Sequence, residues 1–597
     1  MLLSTFILST LSAAVSAALT DSSLEKHVGS LSLSASFNPI KDSYWTGYPH
    51  HRRTPFALSP DGKSAYLAYL DASETDVHVQ QVDPSTFAAV GTAVTVSGGK
   101  EAGGLIAHND GFALLTNEAL PSGTANAPSG SIPVPVLYRY TSGKQTWKTF
   151  LGGPDVHTSD GLSASPDLNG DLAFSEATGM YGAYFVVTDY SGWAAGHFGD
   201  SIQYVTENGT LETISGASSS WGCSHNTGIA FEAADSVPFA SICAEDQGAI
   251  WLNTKTQGMD GVKISNENTT NGGSGEPMGG MSGSYSALAR FIGKDSYIFA
   301  WVSRGAKDLT QNDWLGGDAT HCLPRANNRN VAIAQFSDKN TLVGQQATSQ
   351  IGATDGDSQV NWITTGTADM SNAHVAAFDG ENALVTWEEI TNPTCPFLAM
   401  GCKGAFTGSY FQLVNGGTKV GDAVKATDVF VAGDMVTMSN GRICWPYVSM
   451  DWKLDGPVSN PASVKEMSFA CINLDGASSS STNSSTTPPS SSTSQASSAV
   501  ISSVVLTSST TAATSFATEI PQPSTTVQVQ TASTTPTLFV TPVTLAISVV
   551  TGVSAATPVA MPVATLSTSA PASQSTGEFN FSKWFEELVF SYLTAHR

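Results

Sequence analysis

Apolar and polar residues alternate in short runs along the first three quarters of the chain, and the runs come in pairs around tight polar turns. TPFALS and KSAYLAYLD flank Asp61-Gly62, GGLIAH and FALLTNEA flank Asp110-Gly111, and GLSAS and DLAFSEA flank Asn169-Gly170. The unit recurs with TGIAFE and SVPFASICAED about Ala234-Asp235, and with SALARF and DSYIFAWVSRG about Gly293-Lys294. It closes with HVAAF and ENALVTWEEI about Asp379-Gly380, and FVAGDMVTM and RICWPYVSM about Asn440-Gly441. Alternation with a period of two gives each segment one buried face. Asp-Gly and Asn-Gly turns accept the positive φ angles that join twisted antiparallel strands. The pattern therefore predicts seven hairpins spaced about 50 to 85 residues apart.

A lone hairpin cannot bury enough surface to be stable, so the repeats must pack on one another. No series of crossover helices separates them, which excludes an α/β barrel. Seven such sheets predict an all-β fold, a seven-bladed β-propeller, in which radial repetition leaves only short protected edges. DVHVQQVD and AAVGTAVTV supply the outer strands of the first blade, VLYRYTSG and TWKTFLGG those of the second. SLSLSASF, near Ser30, is expected to close the ring by pairing with MSFACINL. A pair of β-sandwiches is the competing arrangement, but it would not repeat one inner hairpin seven times.

Outside this region the composition changes. MLLSTFILSTLSAAVSA reads as a secretory signal, residues 1–17, too short to span a bilayer as a mature helix. Residues 18–475 form the head. Residues 476–575 are dominated by Ser, Thr, Ala, Val and Pro and read as a disordered, O-glycosylated, mucin-like stalk. The apolar stretch inside it is cut by Pro542, Pro558 and Pro562, so no transmembrane span is expected in the mature chain. Residues 576–597 hold a short segment of helical amphipathic pattern, whose Glu586, Glu587 and Arg597 do not fit the tail of a glycolipid-anchor signal. Sequons at Asn208, Asn268, Asn483 and Asn580 agree with export.

Acids outnumber bases 50 to 26, a formal net charge of −24, which makes nucleic acid and anionic membranes poor partners. A monomer is expected. The seven cysteines all fall between Cys223 and Cys471. In an oxidising compartment most should pair, and proximity favours Cys223–Cys243, Cys395–Cys402 and Cys444–Cys471, leaving Cys322. No spacing makes a zinc site, and neither a metal nor a cofactor is expected. Asp167, Asn169 and Asp171 resemble the start of a calcium loop, but Thr178 stands where its bidentate Glu belongs. GGSGEPMGG lacks the strand–turn–helix context and following Lys of a phosphate loop.

Signal, head and Ser/Thr-rich stalk together resemble secreted fungal-type cell-surface glycoproteins, and the head resembles β-propeller proteins in general. The resemblance is architectural and carries no family's catalytic residues. Propellers usually bind ligands on the face where the innermost strands begin. That resemblance places Arg53, Glu101, Asp160, His225, Tyr285, His374 and Asp428 around one mouth of the channel. Trp221, in WGCSHNTG beside His225, is a stacking candidate for a sugar face, as are the loop residues Trp45, Trp193 and Trp314. The leading expectation is a secreted surface or matrix protein whose head recognises glycan or another cell-wall component. One alternative is a secreted hydrolase or lyase using His225 and His374 with Asp160 or Asp428 as acid and base. Another is a structural wall or adhesion glycoprotein. Glu388 and Glu389 are neighbours on a strand, so they point apart and form no glycosidase pair by themselves.

Overall fold

The structure is a computed structural model that describes residues 18–474. It omits 43–47, 129–131, 155, 157–161, 165–169, 190–197, 220–221, 223–227, 246–248, 259, 268–284, 312–319, 396–401 and 459–461. The signal, stalk and C-terminal segment expected from the sequence lie outside the described residues. Apart from one 3-10 turn, Asp21–Ser23, the described residues hold strands and turns and no helix. None of them forms a helix long and apolar enough to cross a membrane.

Seven antiparallel sheets form a β-propeller. Blade 1 runs from the channel outward as Phe56–Leu58, Ala65–Leu70, Asp76–Val82 and Ala89–Ser97. The innermost strands of blades 2 to 7 are Gly104–His108, Gly170–Ser175, Ile229–Glu232, Leu288–Arg290, Asp369–Ala377 and Val436–Thr437. Blade 7 takes its outermost strand from the other end of the chain. Leu24–Phe37 pairs with Val464–Ile472, with Leu31 opposite Met467 and Ser32 opposite Glu466. This is the predicted closure of the ring. A second contact closes it at the channel, where the Thr54 amide donates to the Ala432 carbonyl (2.9 Å) and Thr54 bridges Gly433. A Cβ on Gly433 would fall 2.1 Å from the Thr54 carbonyl oxygen, so that approach requires glycine.

The apolar faces are buried between blades, one cluster to each seam. Leu31 and Phe469 of blade 7 meet Phe56 and Tyr69 of blade 1. Leu70 and Val79 meet Leu114 and Val136. Leu115 and Leu137 meet Tyr181 and Phe185. Tyr184 and Tyr204 meet Phe231 and Phe239. Ile242 and Ile250 meet Phe299 and Trp301. Ile298 and Val302 meet Val385 and Trp387. Phe411 and Leu413 meet Trp445 and Ile472. Each large side chain so buried contributes about 1.5–3 kcal/mol, and every blade needs both neighbours to do it.

Two elements differ from expectation. In blade 3 the turn is at Glu176–Gly179, not Asn169-Gly170. DLAFS belongs to the innermost strand, and Leu162–Ala164 pairs with the far end of the same neighbour, Met180–Asp189. Gly179, at φ 63°, supplies the left-handed turn residue there. Blade 5 carries an unforeseen hairpin, Ala306–Gln311 with Thr320–Pro324, between its second and third strands. Cysteine pairing follows proximity: Cys395–Cys402 and Cys444–Cys471 are joined. Cys243 is also disulfide-bonded, and its expected partner Cys223 lies outside the described residues. Burial holds the Cys322 thiol well above its ordinary pKa, the opposite of what a nucleophile needs.

Candidate functional site

The innermost strands enclose a channel, and Arg53, just before blade 1, reaches into it where those strands begin. Arg53 is buried and reaches across the axis. Its Nη1 donates to the carbonyls of Gly103 (2.6 Å) and Gly170, at the start of blades 2 and 3. Its Nη2 contacts Asp171 Oδ1 at 3.0 Å and Asp434 Oδ1 at 2.7 Å. The guanidinium lies over the Tyr285 ring, 5.2 Å from its centroid. Asp434 also accepts from the Phe56 amide (3.1 Å). One side chain thus ties together blades 1, 2, 3 and 7. Burial opposes its charge, but Asp434 and Asp171 outweigh that and raise its pKa.

Behind this knot lies a second polar layer. Glu388 is buried and accepts from His51 Nε2 (2.6 Å), Asn372 Nδ2 (3.0 Å) and Trp452 Nε1 (2.8 Å). The His51 ring stacks on Trp452 with centroids 4.0 Å apart. His374 Nε2 lies 2.8 Å from Asn372 Oδ1, and its Nδ1 lies 3.0 Å from the Tyr285 carbonyl. Tyr285 stacks on the same imidazole at 4.5 Å. Both ring nitrogens are therefore engaged inside the wall. Burial, with His51 and Arg53 nearby, pushes the imidazole pKa down to about 3.

Beyond Arg53 the channel opens into a well of about 360 Å³. Its walls include Phe56, Leu105, Phe231, Leu288 and Val375. Its polar groups are Arg53, Asp171, Glu232, Arg290 and Asp434. Asp171 and Asp434 keep 14% and 20% of their side chains exposed, so solvent reaches the floor. Ile292, at the turn end, is 51% exposed. The described lining of the well thus extends to the turn end of the inner hairpins.

Two carboxyls in the well are held near neutrality. Burial pushes Asp171 up to about 7; Asp434 and Glu232 act in the same direction and Arg53 opposes them. Burial also pushes Glu232 up to about 7, against the Ala233 amide that donates to it at 2.7 Å. A folded-state pKa above the unfolded value near 4 means that the folded state holds protons which the unfolded chain has already lost. Stability from these groups is complete below pH 4 and declines as pH rises through 7. Carboxyls held low by hydrogen bonds, such as Asp83 and Asp379, act only below pH 4. Histidines held low by burial, such as His374, act in the opposite sense below pH 6.5, so we expect the thermal midpoint to fall as pH rises from 6.5 to 8, by the equivalent of about 1 kcal/mol. Glu232→Gln should flatten that slope with little change at pH 4.5. An unchanged slope would mean that Glu232 titrates as an ordinary exposed acid.

The sequence candidates separate into groups. Arg53, Tyr285 and His374 come together around the knot. Glu101 is buried beside them in chain order but is held by Lys41 (3.2 Å) and Arg52 (3.9 Å). Asp428 sits away from the channel in an exposed pair with Lys26 at 2.7 Å. Asp160, His225, Trp221 and the loop residues Trp45, Trp193 and Trp314 lie outside the described residues. Glu389 faces away from Glu388 and accepts from Thr407 and Tyr410. Sequence reading missed Asp171, Glu232, Asp434 and Asn372. Their only signal was an acid or amide placed on, or at the start of, an innermost strand. Among the described residues, Asp369, Cys395 and Cys402 are close enough to share a metal ion. The two sulfurs are joined as a disulfide, and the carboxylate is tied to Arg329 at 2.7 Å.

No protein-family model matches the chain, and no curated protein matches it by sequence. Solved structures that are similar in fold include the Trypanosoma rangeli sialidase in complex with 2,3-difluorosialic acid, at 11% identity and a TM-score of 0.31. That match covers 60% of this chain and 57% of the sialidase, so the chain spans little more than half of that relative. The Penicillium chrysogenum α-L-arabinanase complexed with arabinobiose matches at 8% identity and a TM-score of 0.31, covering 74% of this chain and 99% of that one. A Hadza microbial sialidase matches at 8% identity and a TM-score of 0.29, over 61% and 65% of the two chains. At these values the likeness carries nothing about chemistry.

Proposed function

We propose that this is an exported glycoprotein of the cell surface or extracellular matrix, of the fungal type its architecture resembles, whose propeller head recognises glycan in the channel well. The observation that carries the reading is the lining of the well. Carboxylates and two guanidiniums, planar groups that hydrogen-bond paired hydroxyls, stand inside apolar and aromatic walls. The exposed turn that carries Asn208 is compatible with glycosylation at that sequon; Asn268, Asn483 and Asn580 lie outside the described residues. A likeness to propellers that act on or bind sugars agrees with the reading without adding to it.

A second reading, a glycoside hydrolase or lyase, is favoured by one specific observation. Asp171 and Glu232 are held near pKa 7 in the well, and a carboxyl that can hold or release a proton near neutrality is what acid–base catalysis on a sugar uses. Asp428, one of the two acids first expected to serve with His374, pairs with Lys26; the other, Asp160, and His225 lie outside the described residues. Binding of the full-length chain to a glycan array, with the released products analysed, separates the readings. Binding without cleavage, weakened at least tenfold by Glu232→Gln, supports recognition. Cleavage lost in the same variant supports the enzyme. An array with no bound glycan overturns both.

A further inference from the structure

Blade 5 departs twice from the four-strand plan. The inserted hairpin rises between its second and third strands, Tyr297–Ser303 and Asn330–Asp338. Its outer edge is also broken. Thr341–Leu342 pairs near Phe336, the chain then leaves the sheet, and Asn361–Trp362 rejoins the same strand opposite Ile333 and Ala332. These departures enclose a cavity of about 410 Å³, within the range of small-ligand sites. It shares no lining residue with the channel well.

The polar floor of this cavity is fixed in place. Arg325 bridges Asp357 (Nε to Oδ2, 2.8 Å) and Asp355 (2.5 Å), and the Ala306 amide also donates to Asp357 (3.0 Å). Thr364 Oγ1 donates to Asn330 Oδ1 (3.1 Å), and Asn330 Nδ2 donates to the Gly366 carbonyl (3.3 Å). Arg304 lines the same floor and is buried, and Trp362 forms a half-buried wall. The two arginines offset the two aspartates, so the site favours neither a polyanion nor a cation. It offers held donors and acceptors beside one indole face.

We propose that this cavity binds a pyranose residue of a glycan, with its apolar face on Trp362 and its hydroxyls on the Asn330, Arg304 and Asp357 side. Amphipathic sugar rings pair with this combination of a flat apolar surface and fixed polar groups. The site is separate from the channel well and does not depend on it.

Gly366 provides the test. A Cβ there would meet nothing nearer than the Ala368 nitrogen at 3.9 Å, so Gly366→Trp should fill the rim without disturbing the floor. Trp362→Ala removes the platform independently, and thermal midpoints check that both variants fold. The full-length protein would be titrated calorimetrically with β-1,3-glucan, β-1,4-glucan, chitin and mannan tetrasaccharides at millimolar concentration. The expected result is binding of at least one of them, weakened tenfold or more by each folded variant; a component lost only in Glu232→Gln belongs to the channel well. Binding of none, or binding that both variants keep, would overturn the proposal. Loss only in Glu232→Gln would overturn it while supporting the channel reading, so the two can fail separately.

Discussion

Arg53→Met should destabilise the head by roughly 3–5 kcal/mol, the usual consequence of removing one partner from a buried ionic group. The variant leaves Asp171 and Asp434 side by side in the channel without their cation, and it frees the carbonyls of Gly103 and Gly170. The loss should be larger at pH 8 than at pH 5, because at the lower pH the stranded carboxyls can take up protons. Arg53→Met combined with Asp171→Asn and Asp434→Asn should recover part of the loss, since no buried charge then remains. Thermal or urea unfolding at the two pH values measures this. A loss below about 1 kcal/mol, the same at both, would show that Arg53 does not tie the blades.

The second large effect concerns closure. Leu24–Phe37 comes from the N-terminal end of the head, yet it completes the last blade, and its Leu31 is fully buried against the seam with blade 1. Deleting this strand uncovers the edge of Val464–Ile472 and one face of the seam. We expect no folded product from such a deletion. Leu31→Ala, a milder lesion, should cost about 2–5 kcal/mol, as large-to-small changes in a tight core do. The converse change should be tolerated. Ser32 and Glu466 face each other across the closure and are both exposed, so Ser32→Cys with Glu466→Cys should form a cystine that raises the thermal midpoint. Peptide mapping reads the bond directly. A folded deletion variant would mean that the ring does not need this strand.

The blades were legible because each innermost hairpin must hide one face and expose a turn, and both demands leave local marks. Ala65–Leu70, Gly111–Glu118 and Tyr297–Ser303 announce themselves in this way. Closure was legible for the same reason, in the alternation of Leu31, Leu33 and Phe37. Blade 3 misled because Asn169-Gly170 has the chemistry of a turn, while the actual turn at Glu176–Gly179 offers one glycine among ordinary residues. The inserted hairpin of blade 5 gave no warning, since AKDLTQ and THCLP pack on a small satellite cluster and need little apolar patterning. The site was only partly legible. Arg53 and Tyr285 follow from their place before an innermost strand; His374, expected before one, lies within Asp369–Ala377. Which of them would face the channel depends on long-range contacts, such as Arg53 with Asp434, that leave no local trace. Glu388 shows the same limit: its strand position was plain, but its partners His51 and Trp452 come from opposite ends of the head.

The proposed function centres on a well lined by Arg53 and by the carboxyls Asp171, Glu232 and Asp434. The most direct measurement is hydrogen exchange on the full-length protein with and without an oligosaccharide selected by the array, while the sugar is checked for cleavage. The prediction is slowed exchange in the innermost strands Gly170–Ser175 and Ile229–Glu232, abolished by Glu232→Gln, with the sugar recovered intact. Unaltered exchange in those two strands at saturating sugar would contradict it.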